Sequence, residues 1–175
     1  LIIFALDKLF PLPYSRLFPE SSKLVRFSNG KVARIFLTSD EKFRLRIEYD
    51  KIPRLIRDSI IIAEDKRFFY HFGVDPLAVF RALKQNIQQR RVVSGASTIT
   101  MQIARLIEPK PRTIWAKIIE MLRAFQLELH FSKSQLLEIY LNIIPFGSNI
   151  EGLNTAALLY FGKSAYDLSA GEIAV

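Results

Sequence analysis

Arg112-Thr-Ile-Trp-Ala-Lys-Ile-Ile-Glu-Met-Leu-Arg-Ala-Phe-Gln-Leu-Glu-Leu-His-Phe131, followed at once by Ser132-Lys-Ser-Gln-Leu-Leu-Glu-Ile-Tyr-Leu-Asn142, decides the fold class. The first stretch has apolar residues at helical spacing and no Gly or Pro, which predicts one long amphipathic helix. Ser132-x-x-Gln135 is a capping box that opens the next helix, and Pro145 and Gly147 end it. Working back from there, residues 98–107 predict a short helix that Pro109 and Pro111 interrupt. Asp75-Pro76 reads as an N-cap followed by Pro in the first turn, with a helix to about Gln89. Ile52-Pro53 opens another helix, with apolar residues at Leu55, Ile56, Ile60 and Ala63. Working forward, residues 154–161 predict a helix closed by Gly162. Ser169-x-x-Glu172 opens one more, and from its position the natural protein is expected to continue past Val175. The fold class is mainly α.

The N-terminal part differs. Ser28-Asn29-Gly30 lies between the β-prone runs 23–27 and 31–37, the pattern of a hairpin. A third run, Phe43-Arg-Leu-Arg-Ile-Glu-Tyr49, alternates apolar and charged residues as a half-buried strand does. Residues 23–49 are therefore expected to form a small antiparallel β unit, followed by a helical domain over 50–175. Residues 1–22 form a membrane-proximal segment. It starts with Leu1-Ile2-Ile3-Phe4-Ala5-Leu6, and Pro11-Leu12-Pro13 begins a connecting stretch. Six apolar residues cannot span a bilayer, which needs about 20. They are either a short buried segment or, as the abrupt apolar start favours, the end of a transmembrane anchor.

Composition narrows the chemistry. The 175 residues contain no Cys, which excludes disulfides, thiolate metal sites and cysteine nucleophiles. The two histidines, His71 and His130, are too few for a multi-histidine metal site. A net charge of +8 predicts an anionic partner, and 14 Phe residues favour a membrane surface over nucleic acid.

Three polar clusters are candidates. Glu64-Asp65-Lys66-Arg67 follows the apolar run 60–63. A carboxylate there is either a partly desolvated general base or a solvated helix end, and His71 alone reads as a structural histidine. Gly95-Ala-Ser97-Thr98, running into Gln102 and Arg105, is either a phosphate-binding loop or a helix N-cap. Lys117 and Glu120 share a helix face, either as a surface ion pair or as part of a site. Glu128 and Glu138 read as ordinary helical carboxylates.

Taken together, five segments form one ordered pattern. They are Glu64-Asp65-x-x-Phe68-x-x-His71-x-Gly73; Gly95-x-Ser97-Thr98-x-x-x-Gln102; Lys117-x-x-Glu120; Lys133-x-x-Leu136-Leu137-Glu138-x-Tyr140-Leu141-Asn142; and Ala156-Ala157-x-x-Tyr160-Phe161-Gly162-Lys163. They resemble the five motifs of the peptidoglycan glycosyltransferase domain, glycosyltransferase family 51, found in class A penicillin-binding proteins and monofunctional transglycosylases. Residues 6–13, the loop 94–97 and the stretch 101–106 look most like the 1C branch. The resemblance implies a lysozyme-like helical lobe and polymerisation of lipid II, with inversion and release of undecaprenyl pyrophosphate. It implies Glu64 as general base and Glu120 as the carboxylate near the leaving pyrophosphate. Arg81, Arg105, Arg112 and Lys117 would face the pyrophosphate, and Ser97, Thr98 and Gln102 would line the donor pocket. Asp65, Phe68, His71, Gly73, Gly95, Tyr140 and Asn142 match as further motif residues.

The resemblance leaves a divalent metal (Mg or Mn) open and implies no organic cofactor. Its partners would be lipid II, the growing glycan strand, the membrane surface and a C-terminal transpeptidase domain, with no nucleic acid. The location it implies is the cytoplasmic membrane, single-pass anchored, with the domain on the outer or periplasmic side. Departures from the family pattern are Met101 in place of Gln, Arg105 in place of Lys, and Ala116 where Arg precedes the motif lysine. Met101 is expected to remove an amide from the donor pocket. Two rivals are a lysozyme-like glycan-cleaving enzyme and a non-catalytic module that binds lipid II or the membrane surface.

Overall fold

A computed structural model describes residues 7–89 and 96–173. The expectations placed on residues 1–6, on Gly95 and on the chain end beyond 173 lie outside them. The elements are α1 (Tyr14–Leu17), β1 (Leu24–Arg26), β2 (Val32–Ile35), β3 (Phe43–Arg44), α2 (Arg54–Glu64), α3 (Pro76–Gln89), α4 (Ile99–Ile107), α5 (Ile114–His130), α6 (Lys133–Ile143), β4 (Ile150–Glu151), α7 (Leu153–Phe161) and α8 (Ala170–Ile173). The class is mainly α with a small antiparallel hairpin near the N-terminus.

The helix starts follow from local chemistry. Thr98 caps α4 by accepting the Met101 N–H, and Thr113 caps α5 by accepting the Ala116 N–H. Both capping boxes form: the Ser132 N–H donates to Gln135 Oε1, and the Ser169 N–H donates to Glu172 Oε2. Gly162, at φ +68°, ends α7 in the left-handed region. Pro13 does not simply break the chain, because one turn of helix, α1, starts directly after it and buries Leu17.

Two compact units emerge from the contacts, each assembled from two stretches. Unit one is Leu1–Pro11 with Ile60–Leu136; unit two is Leu12–Ser59 with Leu137–Val175.

In unit one, α4 packs along α5. Met101, Val74 and Ala124 form a buried cluster there, with Val79 and Met121 packed against it. Helix α5 buries polar residues. Arg123 Nη1 donates to the Phe10 carbonyl at 2.8 Å and to Gln126 Oε1 at 2.6 Å, and Arg123 Nη2 pairs with Glu108 at 2.5 Å. Gln126 and His130 both donate to Asp7 Oδ1. On its exposed side α5 carries Trp115, Ile118, Leu122, Phe125 and Leu129, at alternating spacings of three and four residues.

In unit two, β1 and β2 pair antiparallel around the Asn29-Gly30 turn, as the dipeptide predicts. The third run departs from the expectation. Only Phe43 and Arg44 are strand, and they pair parallel with β4 instead of extending the hairpin. The reason lies in side chains. Past Arg44 the backbone donors are taken by helical residues: the Leu45 N–H by Thr155 Oγ1 (2.7 Å), the Ile47 N–H by Asn142 Oδ1 (2.8 Å) and the Tyr49 N–H by Glu138 Oε2 (3.0 Å). A backbone so satisfied needs no neighbouring strand. Arg44 itself is buried between Asp40 and Glu151.

Gly73 has φ +78°, and a Cβ there would lie 2.9 Å from the Ala124 carbonyl carbon and oxygen. Gly73→Ala combines left-handed strain with a backbone clash, so it should cost about 1–3 kcal/mol. Thermal unfolding beside the parent checks this, and an unchanged melting temperature would refute it.

Candidate active site

The site is built within unit one from the end of α2, the start of α4 and the first turns of α5. Glu64 is the last residue of α2 and is exposed. The desolvation expected at the end of an apolar helix is therefore not supplied by the described residues. Gln102 on α4 donates its amide to Glu64 Oε2 at 2.8 Å.

The next residue, Asp65, is buried. Its carboxylate accepts the Ile99 N–H at 3.0 Å and faces His71 Nε2 at 3.0 Å. Thr98 Oγ1 donates to the Gly73 carbonyl at 2.5 Å. Phe68 is fully buried, with Lys133 Nζ 4.5 Å above its ring. Lys133 also pairs with Glu128, which accepts the Thr100 hydroxyl, so Glu128 is a buried polar anchor and not an ordinary helical carboxylate. The loop around 64–73 and the start of α4 are thus locked together.

A second cluster surrounds Glu120. Arg105 Nε donates to Glu120 Oε1 at 2.8 Å, and Lys117 Nζ donates to Glu120 Oε2 at 2.9 Å. Lys117 Nζ also reaches Ser97 Oγ at 2.6 Å, and Arg105 Nη2 lies 3.4 Å from the same oxygen. The Glu120 side chain is 12% exposed, Arg105 43% and Lys117 37%, so the two cations stand toward solvent with the carboxylate behind them. Burial alone would raise the Glu120 pKa, but the hydrogen bonds from Arg105 and Lys117 outweigh it and hold the pKa below the ordinary value. Glu120 is therefore ionised at neutral pH and holds both cations. Arg105 is correspondingly pushed further up by the same pair.

The structure brings together Glu64 with Gln102, and Ser97, Arg105 and Lys117 with Glu120. Asp65, Phe68, His71 and Gly73 stand behind the first group. Thr98 departs from its expected place in the donor pocket, since it is buried with its hydroxyl committed to the cap and to Gly73. Arg81 and Arg112 are exposed, and no contact among the described residues joins either to Glu120. Tyr140 and Asn142 belong to unit two. Tyr140 is buried, and Asn142 clamps Ile47 through both its amide groups. Met101 is also buried in the core, so its difference from the family pattern changes packing and removes no group from the pocket. Sequence reasoning missed the Asp65 to Ile99 link; the only local signal was a second acid directly after the exposed one at a helix end.

Among the described residues no group of three or more His, Asp or Glu side chains could hold a metal ion. Both oxygens of Glu120 already face cations.

An exposed carboxylate with an amide beside it thus lies in the same unit as a separate pair of solvent-facing cations ordered by a second carboxylate. The family model described as Transglycosylase matches residues 29–175, and the chain belongs to that family. It is 39% identical to penicillin-binding protein 1C of Escherichia coli (strain K12) over 97% of this chain and 22% of that protein. It is 40% identical to penicillin-binding protein 1A of Aquifex aeolicus (strain VF5), over 81% of this chain and 20% of that one. Penicillin-binding protein 1B of Haemophilus influenzae is 34% identical, over 99% and 25%. The chain thus spans a fifth to a quarter of the length of these relatives.

Because the folded-state pKa of Glu120 is depressed, its ion pairs stabilise the fold above the unfolded-state pKa of about 4.3, and that stabilisation is lost as pH falls through the lower folded-state value. Glu120→Gln should therefore lower the melting temperature at pH 7, and the gap from the parent should narrow toward pH 3. A gap constant across that range would rule out the ionic role.

Proposed function

We propose that the chain is a peptidoglycan glycosyltransferase that polymerises lipid II, a disaccharide-pentapeptide on undecaprenyl pyrophosphate, into glycan strands. The observation that carries this reading is the pairing of exposed Glu64 and Gln102 with the Ser97–Arg105–Lys117–Glu120 cluster, both organised from the one short helix α4. Glu64 takes the proton from the 4-hydroxyl of the acceptor sugar while Gln102 holds its other oxygen. The acceptor oxygen bonds to C1 of the donor, and the bond from C1 to the pyrophosphate oxygen breaks with inversion. The leaving group departs with the electron pair, and Arg105 and Lys117 meet its charge. Glu120 keeps those cations in place and donates no proton. The substrate supplies the desolvation that Glu64 lacks in the free chain. A divalent ion, if it enters, is proposed to come with the pyrophosphate as its counter-ion; titrating Mg or Mn into the assay reads this directly.

The reading extends to location. Among the described residues no helix is long and apolar enough to cross a membrane. The exposed stripe of α5, together with exposed Phe69, Tyr70, Phe72, Leu77 and Phe80, supports a face that lies in the membrane interface. Arg81 and Arg112, placed beside exposed Phe80 and Ile114, are proposed to meet anionic headgroups there. Residues 1–22 are proposed as the membrane-proximal segment, with the domain on the outer or periplasmic side of the cytoplasmic membrane. A following transpeptidase domain fits the greater length of the relatives.

Fluorescent lipid II in detergent tests the chemistry. The parent should form polymer, and Glu64→Gln should lose about 10²–10⁴ in rate. Loss of preformed glycan would instead indicate a lytic enzyme, and binding without turnover a lipid-binding module. On anionic vesicles the one tryptophan, Trp115, should shift its fluorescence to the blue. Leu122→Glu with Phe125→Glu should abolish that shift, and a shift that survives would place the membrane face elsewhere.

A further inference from the structure

Adjacent residues at the end of α2 face opposite environments: Glu64 is exposed and Asp65 is buried. The Asp65 carboxylate accepts the N–H of Ile99, the first residue of α4, and Gln102 lies one turn further along that helix. Behind Asp65 the His71 side chain is only 4% exposed, with Nε2 3.0 Å from both carboxylate oxygens. Its Nδ1 is buried and has no partner among the described residues. A buried N–H without an acceptor costs more than a bare ring nitrogen, so the arrangement selects the tautomer with the proton on Nε2, donating to Asp65.

The geometry assigns Asp65, oriented by His71, the role of a positioning residue that sets Gln102 against Glu64. This rests on the reading of Glu64 as the base. Because Asp65 is covalently next to Glu64 and hydrogen-bonded to the start of α4, any movement of the helix relative to the base must break or stretch that one bond. Ser97, two residues before Ile99, is carried by the same anchor, so the cation cluster keeps its distance from the base as well. Asp65 touches no substrate in this role. It acts through α4.

A double-mutant cycle separates this from simple stabilisation. Gln102→Ala and Asp65→Ala should each lower kcat by roughly tenfold with little change in KM, and the double variant should lose about as much as one of them alone, because both remove the same constraint. A hundredfold, multiplicative loss would overturn the proposal. If Asp65→Ala does not fold, His71 carries the test. His71→Gln keeps an amide N–H that can donate to Asp65 and should retain most of the activity, whereas His71→Leu should lose it; equal losses would overturn the proposal. Two further readouts need no turnover. The ring nitrogen shifts of His71 should report the proton on Nε2, and the Ile99 amide should exchange faster in Asp65→Ala. If the parent makes no polymer, the reading of Glu64 falls, and the Ile99 exchange still decides the anchor: unchanged protection would sink it.

Discussion

A single buried carboxylate joins the two polar groups of the candidate site in unit one. Asp65 holds the start of α4 by an N–H that belongs to the helix end and has no partner inside the helix. That bond fixes the one element that contributes to both polar groups: Gln102 to Glu64, and Arg105 to the cation cluster. The Thr98 cap and its bond to the Gly73 carbonyl fix the same end from the other side. With the helix start held at these points, Gln102 and Arg105 are separated by less than one turn on a rigid rod. A helix held at its start keeps Glu64 and the cation cluster at a set separation.

Electrostatically, the site is a sequence of compensations. Glu120 sits behind two cations and is kept ionised by them. The two cations, half-exposed and sharing one hydroxyl at Ser97, would repel each other without the carboxylate. Glu120 thus lets two positive groups converge on one hydroxyl. The same logic recurs away from the site, where buried Arg123 is matched by Glu108, Gln126 and a main-chain carbonyl. In each place a charge sits in a partly buried position because every oxygen or nitrogen around it is aimed at it.

The helix boundaries were legible in the sequence because their causes are local. Ser132 and Ser169 cap the segments that follow them, and Asp75-Pro76 opens α3 where the dipeptide predicts. What the sequence concealed was long-range. The alternating run after Phe43 looked like a third strand, but its backbone donors go to Thr155, Asn142 and Glu138, about a hundred positions away in the chain. Asn142 matched a family motif as a candidate site residue and is seen to clamp Ile47. Thr98 likewise gives its hydroxyl to structure. Met101 looked like a lost pocket contact and is a core residue. Lys117, Glu120 and Arg105 could be named from the motif, but that the carboxylate stands behind the cations required three dimensions. A motif therefore marked residues that matter without separating those that face the substrate from those that hold the others.

The parallel pair of β3 and β4, with the Asn142 clamp on Ile47, has a consequence for biosynthesis. Unit two is discontinuous, and its two stretches are separated in the chain by most of unit one. On the ribosome, residues 43–47 leave the exit tunnel long before the segments that satisfy them. Through that interval their N–H groups are open to water or to another chain, whereas α4 and α5 already have their neighbours in sequence. Unit one can close during synthesis, and unit two must wait for its C-terminal stretch. The waiting segment, alternating in pattern and strongly charged at Arg44, Arg46 and Glu48, carries in its own sequence the charges that discourage edge-to-edge association in the meantime.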